Sequence, residues 1–396
     1  MPSTAPTPAD PPTPPSPFTR PPAPPPASPL PRVLLIHTGG TLGMAVSNSY
    51  TPVAGRGPGH EYELVPGTGG VYRAPLSPAP LLADLTAAVP ELGELASLSA
   101  VVPFNKDSSR VGPADWAALA RLLHAERGGH DAFLVVHGTD TMAFTAAALS
   151  LCLAGFGKPV VLTGSQLPLG LPRSDARQNL VDALTVATAP FAPPHVPFAE
   201  VAICFGGVLL RGNRAQKVNA AHYRAFASPT WPPLARLGVE VEWDVGALLA
   251  PGAPYTPRFD LDPAVARVPI VPGCDPRAAY GDAASRGLKG IVLEAFGLGN
   301  APDDEAASSW LPWIRDQAAA GLVVWIGSQC VTGDLRPDLY RSGALALAAG
   351  AEAGPRMTPE CACVKLMLSL ASRRGEGEGE GGGGVVEMGV PLAGEM

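Results

Sequence analysis

The stretch Val33-Leu34-Leu35-Ile36-His37-Thr38-Gly39-Gly40-Thr41-Leu42-Gly43-Met44 decides how the chain is read. An apolar run that stops abruptly at glycines reads as a buried strand of a parallel sheet, Val33–His37. The glycine-rich turn behind it then lies at the carboxyl edge of that sheet, where α/β proteins bind ligands. Glycine permits close backbone approach and leaves N–H groups free for an anion. A dinucleotide-binding turn is the competing reading. However, Gly-x-Gly-x-x-Gly is not matched, and Ala-Val-Ser-Asn-Ser-Tyr after Met44 starts no convincing helix. Two threonines beside flexible backbone suit a hydroxyl nucleophile better than a phosphate cradle.

Outward from this strand, apolar runs alternate with helical patterns. Phe133–Val136, Val160–Thr163 and Val201–Phe205 read as further buried strands. Pro113–His124, Thr141–Gly155 and Ser174–Ala187 read as helices. Pro113 suits a first-turn position, with Trp116, Leu119 and Leu122 on one face. This alternation means α/β with right-handed crossovers. A second, shorter unit follows a Pro-rich stretch, with strands at Gly290–Leu293 and Leu322–Ile326 and helices at Ala307–Ala320 and Ser342–Ala349. The expected architecture is a larger N-terminal domain, 32–227, with a mainly parallel sheet flanked by helices. A linker at 228–267 leads to a smaller C-terminal α/β domain, 268–372.

The ends differ in composition. Residues 1–31 are mostly Pro, Ala, Ser and Thr and read as a disordered, polyproline-like tail without the apolar core of a secretory signal. Few basic residues support organelle targeting, so a cytoplasmic location is expected. Residues 373–396 begin with a Gly/Glu run and read as a flexible tail. At 396 residues the chain is long enough for two cores, and its net charge of −7 argues against nucleic acid as a partner. No apolar stretch is long enough to span a bilayer, so no membrane partner is expected. Six scattered cysteines without Cys-x-x-Cys spacing read as free thiols in a reducing compartment. No histidine stands in a ligand-like pair, which argues against zinc.

Two more motifs leave strands in the same manner. Val135-Val136-His137-Gly138-Thr139-Asp140-Thr141-Met142 enters a helix, and Asp140 alone could be its N-cap. Capping does not account for Thr139, Asp140 and Thr141 together. Arg211-Gly212-Asn213-Arg214-Ala215-Gln216-Lys217, by itself, reads as a solvated basic loop.

Together the three motifs resemble the asparaginase family, in particular its cytosolic bacterial type I enzymes and their eukaryotic relatives. Asp107-Ser108-Ser109, Leu162–Pro168, Arg173-Ser174-Asp175, Ala225–Pro229 and Gly297-Leu298-Gly299-Asn300-Ala301-Pro302 extend the resemblance in family order from Val33 to about Leu370. It implies hydrolysis of L-asparagine to aspartate and ammonia, with Thr41 as the nucleophile. Tyr50 corresponds to the tyrosine that orients and closes over that hydroxyl. Thr139, Asp140 and Lys217 correspond to the second threonine and its supporting pair. Asp107 and Ser108, with Asp140, correspond to the groups that hold the substrate's α-carboxylate and α-amine. Ser109 stands where relatives with appreciable glutaminase activity commonly carry glutamine. No metal or organic cofactor is implied. A homodimer or homotetramer is, because family sites lie at a subunit interface near the Gly297–Pro302 loop. Residues 45–59 are expected to form a lid.

The resemblance also implies a departure. Bacterial type I enzymes can hold a second asparagine at an effector site built on a threonine, an arginine and a cysteine. Those positions are Gln216, Glu294 and Cys330 here, which reverses the charge that would grip a carboxylate. Alternatives to a free asparaginase are an ammonia-supplying amidotransferase component, a lysophospholipase, which in this family carries ankyrin repeats not seen here, and an inactive amino-acid sensor on the same fold.

Overall fold

A continuous apolar strand can stay buried only if both faces of its sheet are covered. In this computed structural model, which describes residues 29–43, 45–47, 63–64, 71–73, 78–304, 307–374 and 385–396, both are. The main sheet contains β1 (Arg32–His37), β2 (Ser97–Val101), β3 (Ala132–Val136), β4 (Val160–Thr163), β5 (Val201–Phe205), β6 (Val208–Arg211), β7 (Ala235–Leu237) and β8 (Val241–Trp243). Its order is β8-β7-β6-β5-β4-β3-β1-β2. Strands β2, β1, β3, β4 and β5 run parallel, and β6, β7 and β8 continue the sheet antiparallel.

Side chains alternate between two cores, as the period of two requires. Leu34, Ile36, Phe133 and Val135 point to one core, beneath α2 (Pro113–Glu126), α3 (Met142–Cys152) and α7 (Pro359–Arg374). Val33, Leu35, Leu134 and Val136 point to the other, beneath α1 (Pro78–Ala88) and α4 (Ala176–Thr188). Gly112 leads into α2 with Pro113 in the first turn, and the Asp115 side chain accepts from the Gly112 N–H at 3.1 Å.

The second sheet is wholly parallel, in the order β9 (Val265–Pro269), β10 (Gly290–Ala295), β11 (Val323–Ser328). Helices α5 (Leu311–Ala319) and α6 (Arg341–Ala348) accompany its own core around Trp310, Trp313 and Ile326. Helix α7 packs on α3 and on β9 and β10, so it joins the two halves. The α/β class and the larger and smaller parts are as expected.

Two expectations are corrected. The stretch 228–267, expected as a linker, supplies the edge hairpin β7–β8 to the main sheet and begins β9, and residues 31–396 form one unit. Its prolines leave room for short edge strands, which demand few ladder bonds. Residues 385–396, expected as part of a flexible tail, are packed, with Val386, Met388 and Ala393 buried. These apolar side chains follow the Gly/Glu run, whose residues offer no apolar side chain to bury. All six cysteines are free, and burial pushes the Cys152 thiol up to about 12. Among the described residues, no helix is long and apolar enough to cross a membrane.

Phe133 is fully buried and its ring centroid lies 5.5 Å from that of Phe156. Phe133→Ala is expected to lower stability by about 3–5 kcal/mol, measured by urea unfolding. A loss near zero would mean that the site collapses around the cavity.

Candidate active site

The carboxyl ends of β1 and β3 lie side by side, His37 opposite Val136. Thr38 reinforces this by donating from its N–H and its hydroxyl to the Val136 carbonyl, both at 3.0 Å. The two glycines that follow adopt positive φ, +113° at Gly39 and +84° at Gly40. Their turn presses the backbone onto its neighbours. A Cβ on Gly40 would stand 2.5 Å from the Cα of Gly138, and one on Gly39 would stand 2.1 Å from the Lys106 carbonyl oxygen. Thr41 opens the 3₁₀ turn Thr41–Gly43 directly after this contact and is half-buried.

The loop after β2 closes over the same edge. The Lys106 N–H donates to the Thr38 carbonyl at 3.0 Å. Asp107 caps the turn Ser108–Arg110, its Oδ1 accepting from the Ser109 N–H at 2.7 Å. Ser108 is buried. Its hydroxyl accepts from the Asp140 N–H at 3.3 Å, and its carbonyl accepts from the Thr141 hydroxyl at 2.6 Å. The third motif returns from β6 through the 3₁₀ turn Gly212–Arg214 to the short strand Gln216–Lys217. Lys217 Nζ donates to Thr139 Oγ1 at 2.8 Å and to Asp140 Oδ1 at 2.6 Å. The lysine side chain is only 17% exposed, whereas Asp140 is 63% exposed. A mostly dry cation thus faces a carboxylate that is open to solvent and free to meet a second cation.

The structure therefore joins Ser108, Thr139, Asp140 and Lys217 through direct hydrogen bonds, and Thr41 directly follows Gly40, which abuts Gly138. Asp107 and Ser109 lie on the adjoining turn. Tyr50 and most of the expected lid, 48–59, lie outside the described residues.

Two supports were not singled out from the sequence. His137 Nδ1 donates to the Gly138 carbonyl at 2.7 Å, and Nε2 accepts from Thr145 at 3.0 Å, whose oxygen accepts from Trp116 Nε1 at 3.1 Å. This chain fixes one neutral tautomer under the second motif. Asp175 accepts from the N–H groups of Gln166 and Leu167 and from Asn179 Nδ2, tying the loop after β4 to α4. The histidine preceding Gly-Thr-Asp was a visible signal; the Thr145 and Trp116 partners, 8 and 21 positions away along the chain, were not.

Gln216, Glu294 and Cys330 line one pocket, together with Arg267 and Arg356. Glu294 does not stand alone there: Arg267 meets it at 2.8 Å, and Gln216 Nε2 donates to Glu360 at 3.0 Å. The expected charge reversal is present as a carboxylate and largely offset by its guanidinium partner.

Comparison with known proteins gives the family. Residues 68–247 match the family model described as asparaginase, N-terminal, and residues 264–378 match the glutaminase/asparaginase C-terminal domain. The fold and these matches define an asparaginase-type amidohydrolase scaffold, and the chain belongs to the asparaginase family. It is 34% identical to L-asparaginase 1 of Escherichia coli K12 over 345 residues, covering 84% of this chain and 90% of that one. It is 32% identical to a glutamyl-tRNA(Gln) amidotransferase component of Pyrococcus abyssi, covering 85% of this chain and 72% of the relative. The thermostable L-asparaginase from Thermococcus kodakarensis superposes with a TM-score of 0.74 at 28% identity, over 92% of this chain and 99% of that one.

Burial holds His137 and His37 at about 4, below the ordinary 6.5, so both are neutral in the fold at pH 7. Unfolding releases that penalty and lets them take up protons. The stability they contribute is complete above about 6.5 and is lost as pH falls toward 4. Urea midpoints are expected to be flat from pH 8 to 7 and to drop between about 6.5 and 4. Midpoints unchanged down to pH 4.5 would mean that both imidazoles charge without leaving the fold.

Proposed function

We propose that the protein hydrolyses L-asparagine to L-aspartate and ammonia, with Thr41 as nucleophile and an acyl-enzyme intermediate. The observation that carries this reading is the Lys217–Thr139–Asp140 cluster, hydrogen-bonded at the sheet edge next to the Thr41 turn. A threonine hydroxyl attacks poorly unless a neighbour takes its proton. Lys217 can do so only when its neutral form is accessible. A substrate ammonium would dock on the exposed side of Asp140, across the carboxylate from Lys217.

The α-carboxylate of the substrate would be received by Ser108 and the N–H groups of the Asp107–Ser109 turn. The glycine backbone of the Gly39–Thr41 and Gly138–Thr139 turns supplies donors for the oxyanion of the tetrahedral intermediate. Proton transfer to the amide releases ammonia, and water then attacks the ester carbon to free aspartate. Tyr50 would close over the nucleophile, and a partner protomer would complete the site near the 297–302 loop. Ser109 and the added methylene of glutamine both favour asparagine, because a longer side chain moves the amide carbon off the attack geometry.

The similarity to an amidotransferase component keeps a second reading in view, in which the released ammonia serves a tRNA-linked glutamate. Ammonia release from purified protein given L-asparagine, L-glutamine and D-asparagine separates the two. Rapid release from L-asparagine, with the chain acting alone, supports hydrolysis. Thr41→Ala is expected to abolish turnover with the fold intact, and Lys217→Ala to lower kcat by orders of magnitude with a smaller change in KM. Near-normal rates in Thr41→Ala, or comparable rates on both L-amides, would overturn the assignment.

The rate is further expected to depend hyperbolically on asparagine. In the pocket around Cys330, Arg267 is already engaged by Glu294 and Arg356 by the Gly333 and Cys330 carbonyls, leaving little to grip an effector carboxylate. A sigmoidal curve abolished by Cys330→Trp would show that the pocket binds an effector after all.

A further inference from the structure

Residues 211–214 lead directly into Lys217, and their side chains turn away from the substrate edge. Arg211 is buried and pairs with buried Glu200 at 2.6 Å. Asn213 is fully buried and donates through Nδ2 to Ser150 Oγ at 2.9 Å and to the carbonyl of Ala393 at 2.8 Å. Arg214 donates through Nε to the carbonyl of Gly394 at 2.6 Å, and Arg211 reaches the same carbonyl at 3.4 Å. Both guanidinium groups also lie over the Trp231 ring, at 4.5 Å for Arg214 and 5.2 Å for Arg211. Three side chains of the lysine loop thus share two carbonyls that are about 180 positions away in sequence.

Those carbonyls are themselves fixed. Glu395 folds back to accept from the N–H groups of Leu392 and Ala393, at 2.9 and 2.8 Å. Its carboxylate meets Lys365 of α7 at 2.6 Å, both side chains being wholly buried. Lys365 also donates to the Val390 carbonyl at 2.6 Å. Val386 and Met388 anchor the near end of the segment in the core beneath α3 and α7. Gly394 has φ of +74°, and a Cβ there would stand 2.7 Å from Leu249 and 2.9 Å from Arg211 Nη1. A buried ion pair of this kind contributes little net stability but specifies one arrangement, since breaking it strands a charge.

We infer that Val385–Met396 is a positioning strap: its Ala393 and Gly394 carbonyls hold the Arg211–Arg214 turn so that Lys217 meets Thr139 and Asp140. The inference rests on the reading of Lys217 as a catalytic group. Among the described residues, no hydrogen bond or ion pair joins the strap to the Thr139–Asp140–Lys217 cluster, so the strap acts through the loop. Losing it lets the loop relax and misplaces Nζ, which lowers turnover more than substrate capture, because Asp140, Ser108 and the Asp107–Ser109 turn stay on β2 and β3 loops.

The test compares the full chain with a chain ending at Arg374 and with Gly394→Val, which crowds the carbonyl away from Arg211 and Arg214. For both, kcat is expected to fall on the order of tenfold or more with KM changed by less than about threefold. A synthetic peptide of residues 385–396 should restore kcat to the truncated chain. Hydrogen exchange at 211–217 should quicken in Gly394→Val. If truncation prevents folding, Gly394→Val decides the matter alone. A lower Tm with kcat unchanged in the folded variants would make the segment a structural brace only and overturn the inference. Lys217→Ala in the full chain is the control. If it keeps full turnover, the catalytic reading fails; if it loses turnover while Gly394→Val does not, the strap alone fails.

Discussion

The site depends on a contact where no side chain fits. Gly40 and Gly138 bring the ends of two adjacent parallel strands together so closely that a Cβ on Gly40 would overlap backbone. A Cβ on Gly138 would likewise stand 2.7 Å from Ser108. Three loops, after β1, β2 and β3, are therefore pinned at one point, and each donates its chemistry from that point. Thr41 follows the first glycine, Thr139 and Asp140 follow the second, and Ser108 sits between them. Positive φ at Gly39 and Gly40 is what allows the turn to bend into this contact, a conformation that other residues adopt only at a cost.

The fourth contribution arrives differently. Lys217 comes from the antiparallel side of the sheet, across a turn whose arginines and Asn213 Nδ2 donate to groups behind it. The front of the loop can therefore present a lone ammonium to Thr139 and Asp140. The charges behind it, Arg211 with Glu200 and Lys365 with Glu395, are buried in matched pairs. Such pairs confer registry more than stability. Most of the charge behind the loop is thus compensated in the interior, while Asp140 at the front is open to solvent.

Helix α7 links this arrangement to the smaller half of the molecule. It packs on α3, which follows the Thr139–Asp140 motif, and on β9 and β10 of the second sheet. It also carries Lys365, and its N-terminal Glu360 meets Gln216, next to the lysine.

The sequence by itself determined four parallel strands of the first half, β1, β3, β4 and β5, and the three edge motifs. A buried parallel strand must be apolar on both faces, and glycine must stand where backbone meets backbone; both constraints act on neighbours in the chain. That is why β4 and β5 were legible to their end residues; Thr41, Thr139, Asp140 and Lys217 were named together only through the family resemblance that the motifs carry. The edge hairpin β7–β8 was hidden in a Pro-rich stretch because edge strands of three residues leave almost no periodic signal. Only the tertiary structure decided that His137 rests on Thr145 and Trp116, that Arg267 offsets Glu294, and that residues 385–396 dock on the lysine loop. Each of these pairs groups far apart in the chain, and a charge or a carbonyl in a sequence does not announce the distant partner that folding will bring to it.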